Sequence, residues 1–194
     1  IWEKLHATVM IKGTDASLFK RLWLQFGLTL ASVIGREKVA NGGLHTTKSR
    51  LLNMVGYPLV FRALQERIGL RRCWHAGSGA APIAPEVLEF FIGIGIPAYE
   101  LYGMTENAAV ATGNFPGRMI LGTVGEPYPD IGFRLDEETG EIQTKHPGVF
   151  TGYWNRPEQT VETFTEDGWL MTGDVGEWVN GSHIRIIDRI KHII

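Results

Sequence analysis

The sequence has little cysteine, no excess of one charge and no long apolar run. Its one cysteine, Cys73, has no partner within the 194 residues, so an internal disulfide framework is excluded and a reducing compartment is expected. The 19 Lys and Arg residues nearly balance the 21 Asp and Glu residues, whereas nucleic-acid-binding proteins usually carry a strong basic excess. The longest uncharged apolar run, 22–35, is shorter than the ~20 residues of a membrane-spanning helix. No nucleic-acid partner and no transmembrane segment are therefore expected.

Two further absences concern targeting and metals. No basic start followed by an apolar stretch marks a signal peptide, so a cytoplasmic location is expected. The six histidines lack the spacing of a zinc site such as HExxH. The chain begins at Ile1 rather than Met and stops at Ile194 inside an apolar and basic pattern, so we expect a segment of a larger soluble protein.

Glycine is in excess, with 24 of the 194 residues, or about 12% against a usual level of about 7%. Such an excess indicates tight turns or close approach of the backbone to a ligand. Hydrophobic residues make up 44% of the chain, which is sufficient for a core and excludes a disordered tail.

Residues 1–118 are predicted to alternate helices with short strands. Apolar residues at helical spacing predict a helix that begins after Asp15 or Ser17. The order strand, glycine turn, helix, strand is typical of α/β proteins, whose ligand sites lie at the carboxyl ends of strands. The other elements predicted here are a helix at 57–68, a short buried strand at 73–76, a helix at 86–92 preceded by Pro85, and a strand at 96–102.

Residues 119–187 are predicted to be β-rich. Short strand-like stretches alternate here with turn residues such as Thr139-Gly140 and Asn180-Gly181, which is typical of a compact antiparallel sheet or barrel. Strands are predicted at 123–124, 132–135, 141–144, 169–172, 177–179 and 184–187.

Two glycine-containing motifs follow predicted strands. In Gly77–Pro82 (GSGAAP), small side chains expose backbone against which a planar group can lie, although a plain strand-to-helix turn explains the motif at least as well. In Tyr102–Asn107 (YGMTEN), the tyrosine ring can stack on a base and the threonine hydroxyl can donate to a phosphate. The glutamate of that motif can hold Mg²⁺. The alternative is a turn with Thr105 as a helix cap.

Two later motifs are Gly168–Asp174 (GWLMTGD) and Arg185–Lys191 (RIIDRIK). Asp174 follows a Thr-Gly turn at a strand end, where a carboxylate can accept from the two vicinal hydroxyls of a ribose. The alternative is an Asx turn, in which the side chain bonds its own backbone. A solvated charge cluster is the ordinary explanation of the second motif.

In this order, the four motifs resemble the adenylate-forming superfamily of acyl-CoA synthetases, luciferases and peptide-synthetase adenylation domains. The stretches Pro147–Asn155 and Pro157–Thr160 fit the same family. The segment Ile1–His6 and the sequence YGMTE are most similar to long-chain fatty acyl-CoA synthetases of the bubblegum-like kind. The resemblance covers essentially the whole chain. It implies part of the large N-terminal AMP-binding domain, an α/β sheet layer followed by a small antiparallel β-barrel-like subdomain. Residues 188–194 would start the hinge to a C-terminal domain.

The resemblance also implies a role for each matching residue. The match to Tyr102 packs on adenine, the match to Thr105 contacts the α-phosphate, and the match to Glu106 holds Mg²⁺. Thr105 and Glu106 are thus the implied catalytic residues. The match to Asp174 binds the ribose hydroxyls, and the match to Arg189 also reaches the nucleotide. The implied nucleotide contacts are Gly79, Ala80, Ala81, Pro82, Tyr102, Gly103, Met104, Thr105, Asp174 and Arg189.

The implied reaction joins a fatty acid to coenzyme A (CoA), with ATP and CoA as co-substrates and Mg²⁺ as cofactor. The acid attacks the α-phosphate to give acyl-adenylate and pyrophosphate, and the CoA thiol then displaces AMP. No protein nucleophile is needed, so Cys73 is predicted to be core packing. The family's phosphate loop, which ends in Lys, and its C-terminal domain are absent from this sequence, so the segment alone is not expected to be active.

Other interpretations stay open. The superfamily also contains adenylation domains for aryl or amino acids and luciferase-like oxygenases, and a non-catalytic nucleotide-binding module is an alternative of another class. A peripheral membrane contact would suit an enzyme with lipid substrates, although one apolar stripe that could make it is predicted to be core. The stripe consists of Trp23, Phe26, Leu28 and Leu30.

Overall fold

The computed structural model describes residues 1–14 and 17–193, and the contacts among them define two units. Asp15, a predicted helix cap, and Ile194, the end of the predicted hinge segment 188–194, lie outside the described residues. The units consist of Ile1–Tyr99 with Phe115–Leu121, and of Glu100–Asn114 with the chain from Gly122 onward.

The first unit is mainly helical and surrounds one apolar core. Pro85 occupies the first turn of helix α5 (Pro85–Gly93), where the missing N–H costs no helical hydrogen bond. On the side that faces inward, Val87, Leu88 and Phe91 are buried. The predicted helix at 86–92 is confirmed. The helix predicted at 57–68 is instead a π-helical turn followed by a short α-helix, and it continues from a helix that begins at Thr47. The elements are α1 (Trp2–Thr14), α2 (Leu18–Ala40), α3 (Thr47–Gly56), a π-helical turn (Tyr57–Phe61), α4 (Arg62–Arg67), β1 (Ala76–Ser78), α5 (Pro85–Gly93) and the start of β2 (Ala98–Tyr102).

Helices α2 and α5 approach each other through glycine. A Cβ atom on Gly35 would lie 2.2 Å from the carbonyl oxygen of Glu89, and one on Gly93 would lie 2.0 Å from that of Ala31. Only residues without a side chain permit this backbone contact. The part of α2 that meets α5 is therefore formed by Ala31 and Gly35, which have little or no side chain.

The large apolar side chains at the start of α2 lie away from that contact. Trp23 is 39% and Phe26 is 44% exposed, so the prediction that they belong to the core is wrong, whereas Leu28 and Leu30 are half-buried against it. Ser17 precedes α2 without a capping hydrogen bond from its side chain. Within the described chain, no helix is both long and apolar enough to cross a membrane.

The first strand begins later than predicted. β1 starts at Ala76, whereas the prediction started it at Cys73. The Cys73 N–H donates to the Leu70 carbonyl at 3.0 Å, so this part of the chain forms a turn instead, and Trp74 is 87% exposed. Cys73 is half-buried, with its thiol donating to the His75 carbonyl at 3.3 Å and its side chain packed against the core.

The second unit is rich in antiparallel strands. The end of β2 pairs with β3 (Thr112–Gly113), and β3 pairs with β4 (Glu126–Pro127). A second sheet consists of four consecutive strands, β5 (Gly132–Leu135), β6 (Glu141–Lys145), β7 (Leu170–Val179) and β8 (His183–Arg189). They lie in the order β5-β6-β7-β8, with each neighbouring pair antiparallel. The predicted α/β class with an antiparallel β-rich part is confirmed, while the predicted boundary near residue 118 stays a prediction. The elements are a 3₁₀ turn (Thr105–Asn107), β3 (Thr112–Gly113), β4 (Glu126–Pro127), β5 (Gly132–Leu135), β6 (Glu141–Lys145), α6 (Pro157–Glu162), β7 (Leu170–Val179), β8 (His183–Arg189) and α7 (Ile190–Ile193).

Two strand predictions in this unit need correction. The prediction of a strand at 123–124 is wrong, because the strand in this part of the chain begins at Glu126, where it pairs with β3. The strands predicted at 169–172 and 177–179 are one strand, β7, whose pairing with β8 shifts between Val175 and Gly176. A bulge at that point lets the strand continue where its glycines indicated a break.

Candidate functional site

The carboxylate of Asp174, on β7, lies between a phenol and a guanidinium. The Tyr102 hydroxyl donates to Asp174 Oδ2 at 2.8 Å, and Arg189 Nε lies 3.3 Å from Oδ1. The ion pair follows from strand register, since Asp174 stands opposite Arg189 in the β7–β8 ladder. The Asp174 side chain is 13% exposed, and its oxygens face these two partners instead of forming the Asx turn that the sequence left open.

The side chains of Tyr102, Asp174 and Arg189 differ in their exposure to solvent. Burial raises the pKa of the Tyr102 phenol well above its usual range, and the negative charge of Asp174 adds to the rise. Tyr102 is therefore a neutral donor at physiological pH. Arg189 is 72% exposed, so its charge is largely hydrated and can turn towards a ligand. The cluster can present a nearly buried carboxylate to a pair of hydroxyl donors.

The turn that carries Asp174 is held by Glu141 on the neighbouring strand. Glu141 Oε1 accepts the Gly173 N–H at 2.7 Å. The Thr172 hydroxyl donates to the Ile142 carbonyl at 2.8 Å, and the Asp174 N–H donates to that hydroxyl oxygen at 3.2 Å. Burial raises the pKa of the Glu141 carboxyl, as do the nearby negative charges of Asp136 and Asp174.

A Glu141→Gln variant is expected to be at least as stable as the wild type at pH 7, because its amide oxygen still accepts the Gly173 N–H without burying a charge. A carboxyl whose pKa is raised in the folded state binds more protons there than when unfolded. The wild type's free energy of unfolding should therefore fall as pH rises from near 4.5 through the folded pKa of Glu141. Urea unfolding of both proteins between pH 4 and 8 measures the stability of the variant at pH 7 and the pH dependence of the wild type. A variant less stable at pH 7 would show that the charge itself is needed.

The loop after β2 folds tightly on itself. The Met104 N–H donates to Asn107 Oδ1 at 2.8 Å, and the Ala109 N–H donates to the Met104 carbonyl at 2.8 Å. Met104 is the N-cap of the 3₁₀ turn and its N–H is satisfied by the fully buried Asn107 side chain, so Thr105 is not the cap. A Cβ atom on Gly103 would lie 2.2 Å from the Ala109 carbonyl carbon. Thr105 is exposed at the start of the turn, where its hydroxyl can reach a ligand.

Glu106, in the middle of this turn, is held at two points. Its carbonyl oxygen accepts the Phe150 N–H at 2.8 Å. Its carboxylate Oε1 accepts the Tyr153 hydroxyl at 2.8 Å, which leaves Oε2 for a cation. The carboxylate is therefore oriented by the fold and does not extend freely into solvent.

The donor set around Glu106 suits Mg²⁺ better than zinc. In the part of the chain that the structure describes, no three His, Cys, Asp or Glu side chains cluster so that they could hold a metal. Mg²⁺ keeps several waters and is commonly held by one or two carboxylates together with substrate phosphates. An oriented single carboxylate fits that pattern.

The GSGAAP motif lies in the first unit and forms the predicted strand-to-helix turn. Residues 79–82 are exposed between β1 and α5. Trp2 Nε1 donates to the Gly77 carbonyl at 3.2 Å, and Trp2, Gly77, Ala81 and Pro82 line part of a cavity of about 320 Å³. The bare backbone thus borders a concave surface, and its contact with a nucleotide stays a prediction.

The charged side chains of the motif Arg185–Lys191, at the end of β8, pair with different partners. Arg185 pairs with Glu177 at 2.8 Å, and Asp188 pairs with His192 at 2.9 Å. A hydrogen bond from the Arg189 N–H lowers the pKa of the Asp188 carboxyl. These exposed pairs fit the solvated cluster that the sequence allowed, whereas the Arg189 side chain faces Asp174.

Of the predicted site residues, the structure joins Tyr102, Asp174 and Arg189 in one cluster. Sequence reasoning missed Glu141 and Tyr153 as residues that hold site side chains. Glu141 lies in the predicted strand at 141–144 and Tyr153 in the stretch Pro147–Asn155, but no local pattern identifies a hydrogen-bond partner 32 or 47 positions away.

Known proteins resemble this chain over its whole length. A family model described as "AMP-binding enzyme" matches residues 24–154. The Mycobacterium tuberculosis protein fadD11, named as a fatty-acid–CoA ligase, is 43% identical over 199 residues, which cover 100% of this chain and 34% of that protein. The long-chain-fatty-acid–CoA ligase ACSBG2 of Xenopus laevis is 31% identical over 198 residues, covering 100% of this chain and 26% of that protein. The chain thus spans about a third of these relatives or less.

Solved structures share the fold. The O-succinylbenzoate coenzyme A synthetase MenE of Bacillus subtilis, in complex with ATP and magnesium ion, matches with a TM-score of 0.54 and 27% sequence identity. The match covers 60% of this chain and 26% of that chain.

Proposed function

This chain belongs to the AMP-binding enzyme family, and we propose that it is the nucleotide-binding segment of an ATP-dependent ligase that joins long-chain fatty acids to CoA. The observation that carries the proposal is the nearly buried Asp174 carboxylate between Tyr102 and Arg189. The names of the relatives, fatty-acid–CoA ligases, support the substrate class.

The nucleotide contacts proposed for the second unit follow from the chemistry of side chains and, at Gly103 and Met104, from backbone groups. Asp174 accepts hydrogen bonds from the two ribose hydroxyls, with Arg189 turning to share the contact. The Tyr102 ring stacks on adenine while its hydroxyl stays on Asp174. The exposed Thr105 hydroxyl donates to an α-phosphate oxygen, and Gly103 and Met104 supply backbone beside it.

In the first unit, we propose that residues 79–82 lie along the adenine. The small side chains of Gly79, Ala80 and Ala81 leave backbone N–H and C=O groups accessible, while Pro82 offers only its C=O. All four residues are exposed. A planar base can be held by such groups without a charged partner.

Glu106 would hold Mg²⁺, which neutralises charge on the phosphate oxygens when it is bound. The protein's contribution is to fix the carboxylate: the Phe150 N–H holds its backbone and the Tyr153 hydroxyl holds Oε1. The match to a structure in complex with ATP and magnesium ion supports this assignment.

In the proposed reaction, a fatty-acid carboxylate oxygen bonds to the α-phosphorus of ATP and the α–β bridging bond breaks, releasing pyrophosphate. The CoA thiolate then bonds to the acyl carbon, and AMP leaves as the acyl C–O bond breaks. Thr105 and Glu106 act at the phosphate, where positioned donors stabilise the developing charge. The mechanism needs no nucleophile from the protein, and Cys73 packs against the core of the first unit.

A cytoplasmic location is proposed as well, with a peripheral contact to a lipid surface. Phe19, Leu22, Trp23 and Phe26 form the exposed apolar side of α2. Basic residues Lys20 and Arg21 lie beside them, a combination typical of helices that rest on anionic lipid.

The function is tested by pyrophosphate–ATP exchange with the full-length protein. We expect exchange to depend on added carboxylic acid and to be fastest with long-chain fatty acids. A preference for aryl or amino acids would move the protein to the adenylation-domain class. Nucleotide binding without exchange, for any acid, would favour the non-catalytic binding module.

A further inference from the structure

One short segment holds Glu106 from two directions. The Phe150 N–H fixes the Glu106 backbone carbonyl at 2.8 Å, and three residues later the Tyr153 hydroxyl fixes carboxylate Oε1 at 2.8 Å. The first contact places the main chain of Glu106, and the second selects the direction of its side chain. A glutamate held at its backbone and at one carboxylate oxygen loses little side-chain conformational entropy when it binds a cation.

The segment itself is firmly placed. The Tyr153 N–H donates to the Thr160 hydroxyl oxygen at 2.9 Å, and that hydroxyl donates to the Arg156 carbonyl at 2.8 Å. The Tyr153 ring meets the Phe150 ring edge-on at 4.8 Å, and the Phe150 ring stacks on Phe164 at 5.7 Å. The position from which the Tyr153 phenol contacts Glu106 is therefore fixed by backbone hydrogen bonds and ring packing.

We propose that Tyr153 is a positioning residue, whose hydroxyl aims the Glu106 carboxylate at the divalent cation that accompanies the bound nucleotide. The inference rests on the proposed function and extends it to a residue outside the nucleotide contacts. Hydrogen-bond partners of a metal-binding carboxylate typically change metal affinity 10–100-fold when removed.

A structural role for Tyr153 can be separated from the positioning role. Tyr153→Phe removes only the hydroxyl and keeps the ring contact with Phe150. The full-length protein is titrated with Mn²⁺ in the presence of α,β-methylene-ATP, and free Mn²⁺ is measured by electron paramagnetic resonance. We expect Mn²⁺ affinity to fall about tenfold, with the unfolding midpoint and the metal-free affinity for the analogue unchanged. Tyr57→Phe, at an exposed tyrosine of the first unit, serves as the matched control and should change none of these.

A double-mutant cycle tests whether Tyr153 acts through Glu106. In a Glu106→Gln background, Tyr153→Phe is expected to cause no further loss of Mn²⁺ affinity. Unchanged Mn²⁺ affinity in the single Tyr153→Phe variant, or additive losses in the double variant, would overturn the positioning role. If the wild type bound no nucleotide at all, the proposed function itself would have failed, which is a different outcome.

Discussion

An Asp174→Ala variant of the full-length protein is expected to bind AMP about 100-fold more weakly than the wild type. Two hydrogen bonds from ribose hydroxyls to a carboxylate would be lost, and bonds to charged groups contribute roughly 1.5–3 kcal/mol each. Because about 1.4 kcal/mol corresponds to a factor of ten, even the lower values give this loss. Isothermal titration calorimetry with AMP measures it directly.

The controls for this variant separate binding from folding. Removing the carboxylate leaves the Tyr102 hydroxyl without its acceptor, so a stability loss of about 1–3 kcal/mol is expected as well. Asp174→Asn keeps one acceptor oxygen and should lose less AMP affinity than Asp174→Ala. Asp167→Ala removes an exposed aspartate that is ion-paired with Arg134 at 2.8 Å, and AMP affinity should stay within a factor of two. Equal AMP affinity for Asp174→Ala and the wild type would exclude the ribose role.

Local chemistry predicted those parts of the fold whose cause is local. Pro85 before an apolar helical pattern predicted the start of α5, and Asn180-Gly181 predicted the turn between β7 and β8. Strand β5 lies at 132–135, the strand-like stretch that turn residues separated from its neighbours in the sequence. In each case the dihedral preference or the periodicity of a few residues decides the structure.

Burial on α2 could not be predicted in the same way. Hydrophobicity favoured Trp23 and Phe26 as core, yet the helix places the buried Ala31 and Gly35 against α5. The reason is geometric: the close backbone contact with α5 needs residues without bulk, and only knowledge of the partner helix reveals it. The sequence pattern indicates which side of a helix is apolar, but it does not give the distance to the helix that packs against it.

The site shows the same division. The motifs identified Tyr102 and Asp174 separately, but their hydrogen bond joins residues 72 positions apart and depends on how β2 and β7 are placed. Glu141 and Tyr153 act only through such long-range contacts. Reacting groups are therefore easier to find in a sequence than the residues that orient them.

A Gly103→Ala variant is expected to lower the rate of pyrophosphate exchange about 100-fold. The new Cβ atom would lie 2.2 Å from the Ala109 carbonyl carbon and 2.5 Å from the Val110 nitrogen. Both are backbone atoms that cannot rotate away, so the loop that carries Thr105 and Glu106 must shift. A displacement of about 1 Å at a catalytic group can cost 10²-fold in rate. Overpacking of this kind also costs about 1–3 kcal/mol of stability.

Gly181→Ala is the matched control, because it separates the steric effect from backbone strain. Gly181 has φ +73°, and a Cβ atom there would meet nothing within 4 Å. The left-handed backbone makes alanine cost about 1–2 kcal/mol, so both variants lose comparable stability. Only Gly103→Ala should lose exchange activity, since only it displaces the loop. Wild-type exchange by a folded Gly103→Ala variant would show that the loop does not carry the reacting groups, and equal losses in both variants would assign the effect to stability alone.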